Sequence, residues 1–145
     1  MNSTLSDFER AFRGLFHGVM KWDGLARLWS RVDPGAGWYL YAIGEDPPTK
    51  PAGASDVSEF MRQMDELLRR EHRESYCGIV YADDLEHPRF IKIFDPNHLG
   101  VSCGSSKNPP LPGWTMSLIA PTELKRFGPL PESRRRWWRA LFSAA

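Results

Sequence analysis

YCGIVYADDLEHPRFIKIF, residues 76–94, is the stretch on which the fold turns. Its two ends are rich in β-branched and aromatic residues, which suit a pleated, half-buried surface. The middle, ADDLEHP, is short and polar. The spacing therefore predicts two antiparallel strands, 76–81 and 89–94, closed as a hairpin. Phe90 and Ile91 blur the alternation of the second strand, but Lys92, between Ile91 and Ile93, is expected to face solvent. The acids and histidine of the connection, Asp83, Asp84, Glu86 and His87, lack the twelve-residue calcium-loop spacing and fit a solvated turn.

Two further strands lie outside the hairpin, WYLYAI at 38–43 and WTMSLI at 114–119. Between the first of these and the hairpin, residues 56–73 carry Val57, Phe60, Met61, Met64, Leu67 and Leu68 at three- and four-residue spacing. That is the apolar stripe of a helix, with Ser55 as its cap and Asp56 and Glu59 suited to its positive end. Residues 6–20 predict another amphipathic helix. Ser6 and Glu9 form a capping box, and Phe8, Phe12, Leu15, Phe16 and Val19 make its stripe. Gly14 and Gly18 weaken it, each by about 1 kcal/mol relative to alanine, and suit a close approach by a neighbour. Residues 23–32 continue, either as a second short helix or beyond a kink near Gly24, up to the turn Asp33-Pro34-Gly35. Pro131 can open a last helix over 131–142, with Trp137, Trp138, Leu141 and Phe142 inward and Arg134, Arg135 and Arg139 on the wet side.

The expected fold is a single α+β domain over residues 1–145, with a mainly antiparallel sheet of about four strands and helices packed on one face. It comprises an N-terminal helical segment at 6–32, a sheet and helix core at 38–119 and a basic, aromatic helix at 131–142. The Pro-rich joints at 44–54 and 120–131 are too short to separate domains.

A chain of 145 residues can bury roughly two-thirds of its unfolded surface without staples. The formal net charge of +1 argues against general affinity for nucleic acid. The charge is uneven, however, with six positive side chains against two negative between Glu123 and Arg139. No run approaches 18 apolar residues, the N-terminus has no secretory apolar core, and there are two cysteines. These features point to a reducing compartment, the cytoplasm, with free thiols and no membrane span.

Residues 95–114, DPNHLGVSCGSSKNPPLPGW, form a connection too long to be idle. Cys103 with His98 as base and Asp95 as orienter would make a nucleophilic set in one loop, suited to acyl transfer or thiol redox chemistry. Gly104, Ser105, Ser106 and Lys107 could converge as an anion nest for phosphate, carboxylate or nucleotide, although Walker A spacing is absent. Cys77 fits a small core residue, and no ligand set for a metal or cofactor is evident. Pro109, Leu111, Pro112 and Trp114 form a stiff segment that could enter an apolar groove, with Arg135 and Arg139 adding charge from the last helix. The long connection, the aromatic content and the cationic last helix favour an accessory or adaptor protein that binds a protein partner through residues 95–114, with the last helix as a further contact. A cysteine-dependent enzyme and a small-anion sensor are the competing readings.

Overall fold

The computed structural model describes residues 5–98, 111–124 and 132–141. Its centre is one antiparallel sheet assembled from β1 (His17–Gly18), β2 (Tyr39–Ala42), β3 (Val80–Ala82), β4 (Phe90–Ile93) and β5 (Trp114–Ser117). The spatial order is β1-β3-β4-β5-β2, and every pairing is antiparallel. The helices are α1 (Asp7–Phe12), α2 (Trp22–Ser30), α3 (Ala54–Glu71) and α4 (Glu132–Leu141). The expected α+β architecture is thus present, with one strand more than the sequence suggests.

Register divides the strand residues between two faces. Leu40, Met116, Ile91 and Ala82 lie in one row across the sheet, and Ala42, Trp114, Ile93 and Val80 lie in the next row of the same face. This face meets Leu25 and Leu28 of α2, Val57, Phe60, Met64, Leu67 and Leu68 of α3, and Leu141 of α4 in the larger core. Each large apolar side chain buried here contributes on the order of 1.5–3 kcal/mol. The three larger helices therefore share one face, as the patterning implies. The opposite face carries Tyr41 and Phe90, and α1 closes it through Phe8 in a smaller cluster. Phe90, at the apparent break in alternation, serves this second core.

The N-terminal helix stops eight residues earlier than its apolar spacing suggests. Its capping box forms as expected, with the Ser6 hydroxyl accepting from the Glu9 amide at 3.1 Å. The chain then turns at Gly14 and enters β1, which hydrogen-bonds to the hairpin through Val19 N–H to Val80 C=O at 2.8 Å. Gly18 leaves room here for the Tyr81 ring, which a Cβ, 2.9 Å from its Cε2, would displace. Leu15 consequently leaves the buried stripe.

β3 starts four residues later than expected. The amides of Cys77 and Gly78 donate to the carbonyls of Met20 and Val19, at 2.7 and 2.8 Å, and Gly78 turns the chain with φ of +69°. Cys77 is buried, as a small core residue should be. α3 is capped by the Gly53 backbone position without a side-chain bond, so Ser55 falls inside its first turn. In the hairpin connection the Asp83 carboxylate accepts from the amides of Arg89 and Phe90, while Asp84 accepts from those of Glu86 and His87. These acids hold a turn, and the described residues contain no cluster of metal-ligating side chains. No helix among the described residues is long and apolar enough to cross a membrane.

Candidate functional site

The outgoing foot of the 95–114 connection is held by an ion network. Asp95 follows β4, and its Oδ1 accepts from the Asn97 amide at 2.9 Å, an Asx turn leading into the 3₁₀ turn Pro96–His98. Arg134, from the first turns of α4, donates to both Asp95 oxygens at 2.8 and 3.0 Å and to Oε1 of Glu71 at 2.6 Å. Asn97 Nδ2 joins the same Glu71 oxygen at 3.0 Å. The planar guanidinium fork suits such paired carboxylates. Its bonds to Asp95, and then to Glu71, raise the Arg134 pKa further, while the Arg134 bond holds Glu71 below the ordinary carboxylate range.

This network corrects the expectation that Arg134 faces water: its exposure is only 7%. The sequence stripe placed it outward because it carries charge. The end of α3 and the start of the 95–114 connection supply the carboxylates that bring it in. Both Asp95 oxygens accept from Arg134, and the expected pairing of Asp95 with His98 falls on a side chain outside the described residues.

The returning foot is fixed by packing. Leu111 rests against the α1-side cluster, Pro112 is buried, and the Gly113 amide donates to Ile93 C=O at 2.9 Å. Trp114 is buried in the larger core, its ring centroid 5.5 Å from that of Trp137. Leu111, Pro112 and Trp114 are therefore interior or half-interior groups, not an exposed partner-binding strip. Their apolar surface is satisfied within the chain, a pairing across distant segments that local sequence does not reveal. Of the basic pair expected beside them, Arg139 is exposed, whereas Arg135 approaches Glu45 and Glu132 at 3.7 and 3.9 Å. Cys103, Gly104, Ser105, Ser106, Lys107 and Pro109 lie outside the described residues, as does the side chain of His98.

A surface that the sequence reading missed lies at the β1 edge. Leu15, Met20 and Tyr76 are 87%, 60% and 49% exposed, the large apolar side chains left open among the described residues. Leu15 and Met20 flank β1, and Tyr76 is joined to Met20 through the Cys77–Met20 backbone bond. Beside them a cleft of about 390 Å³ runs from Gly18 and Met20 to α2, with Lys21, Arg27 and Arg31 along it. Arg31 reaches the Leu85 carbonyl at 3.2 Å and Glu86 at 3.7 Å. Among the described residues, Lys21 and Arg27 have no ion-pair partner. The available signal was the Gly14/Gly18 pair, which makes a continuous helix through Leu15 and Met20 costly.

The α1-covered face contains a second unexpected group. Lys92 does not stand free in solvent: its Nζ lies 4.2 and 3.9 Å from the ring centroids of Phe12 and Phe16. Burial lowers its pKa to about 8, and the ring faces partly replace lost hydration. Its cross-strand neighbour is Thr115, whose buried Oγ1 has no hydrogen-bond partner among the described residues. This row places polar groups within a covered face.

Comparison of the chain with protein-family models, with curated proteins and with solved structures finds no match.

Proposed function

We propose that this domain is a cytoplasmic accessory module that binds a protein partner along the β1 edge and the adjoining end of the sheet, where the 95–114 connection is anchored. The observation that carries the proposal is the exposure of Met20 beside the Tyr76–Cys77 turn at one end of a short edge strand, with Leu15 exposed at the other end. Exposed apolar side chains grouped in this way suit the anchor of an interface, with charges at its rim guiding approach. Lys21 and Arg27, without ion-pair partners among the described residues, supply a positive rim, so the partner segment would join an apolar anchor to flanking carboxylates.

The anchoring of the connection supports the same reading. Phe94 N–H bonds Ile79 C=O at 2.9 Å, which brings the outgoing foot beside the Tyr76–Ile79 turn. Arg134 below and Gly113 behind hold the two feet, so little ordering entropy remains to be lost there on binding. The surface no longer depends on Leu111, Pro112 or Trp114, whose apolar area is used internally.

Affinity isolation with the wild-type chain and with the double variant Met20→Glu/Tyr76→Ser tests this proposal. The wild type should retain a discrete partner at near-stoichiometric yield, while a folded variant of unchanged helical signal and melting temperature should lose it. Equal recovery by the folded variant would refute the assignment of the surface. Partner-dependent protection of Leu15–Met20 amides in hydrogen exchange should accompany retention.

A further inference from the structure

β1 lies at one edge of the sheet and pairs with β3 alone among the described strands. Bonded and non-bonded residue pairs alternate along an antiparallel ladder. Val19 N–H bonds Val80 C=O, so Val19 and Val80 are a bonded pair and Gly18 and Tyr81 a non-bonded one. The far side of β3 agrees: the Asp83 amide bonds Phe90 C=O, which directs the backbone groups of Tyr81 towards Lys92. Gly18 therefore turns its own N–H and C=O away from β3, to the open edge. Bonds from Cys77 and Gly78 to Met20 and Val19 carry the pairing on to residue 20, beyond β1 itself. The opposite edge is partly closed, because the Ala52 amide donates to Trp38 C=O at 2.8 Å, just before β2.

The surroundings of Gly18 decide what this edge suits. Gly18 shares a row with Tyr81 and Lys92 on the α1 side, whereas Val19 enters the larger core on the α2 side. The 390 Å³ cleft runs from Gly18 along α2 past Lys21, Arg27 and Arg31. Glu86, the one acid among its described lining residues, is engaged by Arg31 at 3.7 Å. Side chains alternate between faces along a strand, and residues directly opposite share a face. In a strand added beside β1, the residue opposite Gly18 would stand next to the Tyr81 ring, at a position where Gly18 has no side chain. Its two neighbours would turn towards the cationic cleft. An open backbone edge accepts such a strand through main-chain hydrogen bonds. A second copy of this chain fits poorly, since pairing β1 with β1 sets one cationic cleft against another.

We infer, on the basis of the partner surface proposed above, that β1 takes an extended acidic segment of the partner as an added strand, with an apolar side chain opposite Gly18 and carboxylates on either side of it directed to Lys21 and Arg27.

The probe is a capped peptide of about eight alternating glutamate and valine residues, a common strand length. N-methylation of its valines blocks the edge that would face Gly18, while N-methylation of its glutamates blocks only the outer edge, at the same charge. The parent and the glutamate-methylated peptides should bind saturably and alike, and the valine-methylated peptide about tenfold or more weakly, as expected for losing two hydrogen bonds. A glutamine–valine peptide, and the exposed double variant Lys21→Gln/Arg27→Gln with the parent peptide, should show similar losses. The Gly18 amide should exchange rapidly in the free protein and slowly in the complex, with the Val19 amide protected in both. Absence of saturable binding, equal affinity of the two methylated peptides, or undiminished binding of the glutamine–valine peptide would overturn the inference. So would a Gly18 amide already protected in the free protein, which with a dimer in sedimentation would give the edge to a second copy. Equal affinity of the methylated peptides, alongside loss of the partner by Met20→Glu/Tyr76→Ser, would remove strand addition and leave the partner surface standing. Recovery of the partner by that folded variant would remove the surface itself.

Discussion

Arg134→Met isolates the ion network that ties the 95–114 connection to α3 and α4. The substitution keeps an unbranched side chain of similar reach and removes only the guanidinium. It leaves the Asp95 carboxylate, 8% exposed at the side chain, with the Asn97 amide as a described donor, and leaves Glu71, 23% exposed, with Asn97 and Arg70. Breaking a buried pair by removing one partner costs about 3–5 kcal/mol, and partial rehydration of Glu71 places this case near the lower end. We expect a loss of about 3 kcal/mol at pH 7, seen as a lower urea midpoint with unchanged slope and a melting temperature lower by roughly 10 °C.

The pH dependence has a definite sign. Glu71 has a folded pKa below its ordinary value of 4.5, so its contribution is fully present above that value and disappears as pH falls through the lower folded one. The gap between wild type and Arg134→Met should therefore narrow below pH 4.5. Amides of α4 should lose exchange protection before those of β4. Replacing the network as a whole, with Asp95→Leu and Glu71→Gln added, should recover much of the loss, because no uncompensated charge remains. Equal stability of Arg134→Met and wild type at pH 7, with unchanged α4 protection, would refute the role assigned to the network.

Lys92→Met should stabilise the domain at pH 7. Wild-type stability should rise from pH 8 towards 10.5, because the unfolded state retains the proton that the folded state has begun to lose. The full displacement corresponds to about 3 kcal/mol, reduced to roughly 1–2 kcal/mol by solvent screening of the half-exposed ammonium. Urea titrations at pH 7 and 9.5 should show this rise in wild type and its absence in the variant, and parallel behaviour would contradict it. Gly18→Ala places a methyl 2.9 Å from Cε2 of Tyr81 and should cost about 1–3 kcal/mol by displacing a packed ring. A raised urea midpoint would instead mean that reduced unfolded-state entropy outweighs the contact.

Much of the candidate surface was hidden in the sequence for a physical reason. Leu15 and Phe16 sit one residue apart in an apparent helical stripe, yet one is almost fully exposed and the other packs on Phe90. Helical spacing marks both equally, and only termination of α1 at Phe12 separates them. Trp114 shows the reverse case. It follows a Pro-rich segment that resembles a binding strip, but a tryptophan from α4 covers it within the fold. His72 carries no local mark of burial, because the ring that packs on it from outside its own segment, Trp22, comes from α2.

The sequence by itself determined the elements whose signals are local: the stripe of α3, the capping box of α1, the strands of the hairpin and the α+β class. These follow from spacing, side-chain shape and backbone hydrogen bonding within a few residues. The tertiary structure alone decided that Arg134 is buried, that Lys92 lies beneath two phenylalanine rings, and that Met20 and Tyr76 share an exposed edge. Burial and charge pairing are set by which distant segments meet, and residues 39 and 63 positions apart supply the partners of Arg134.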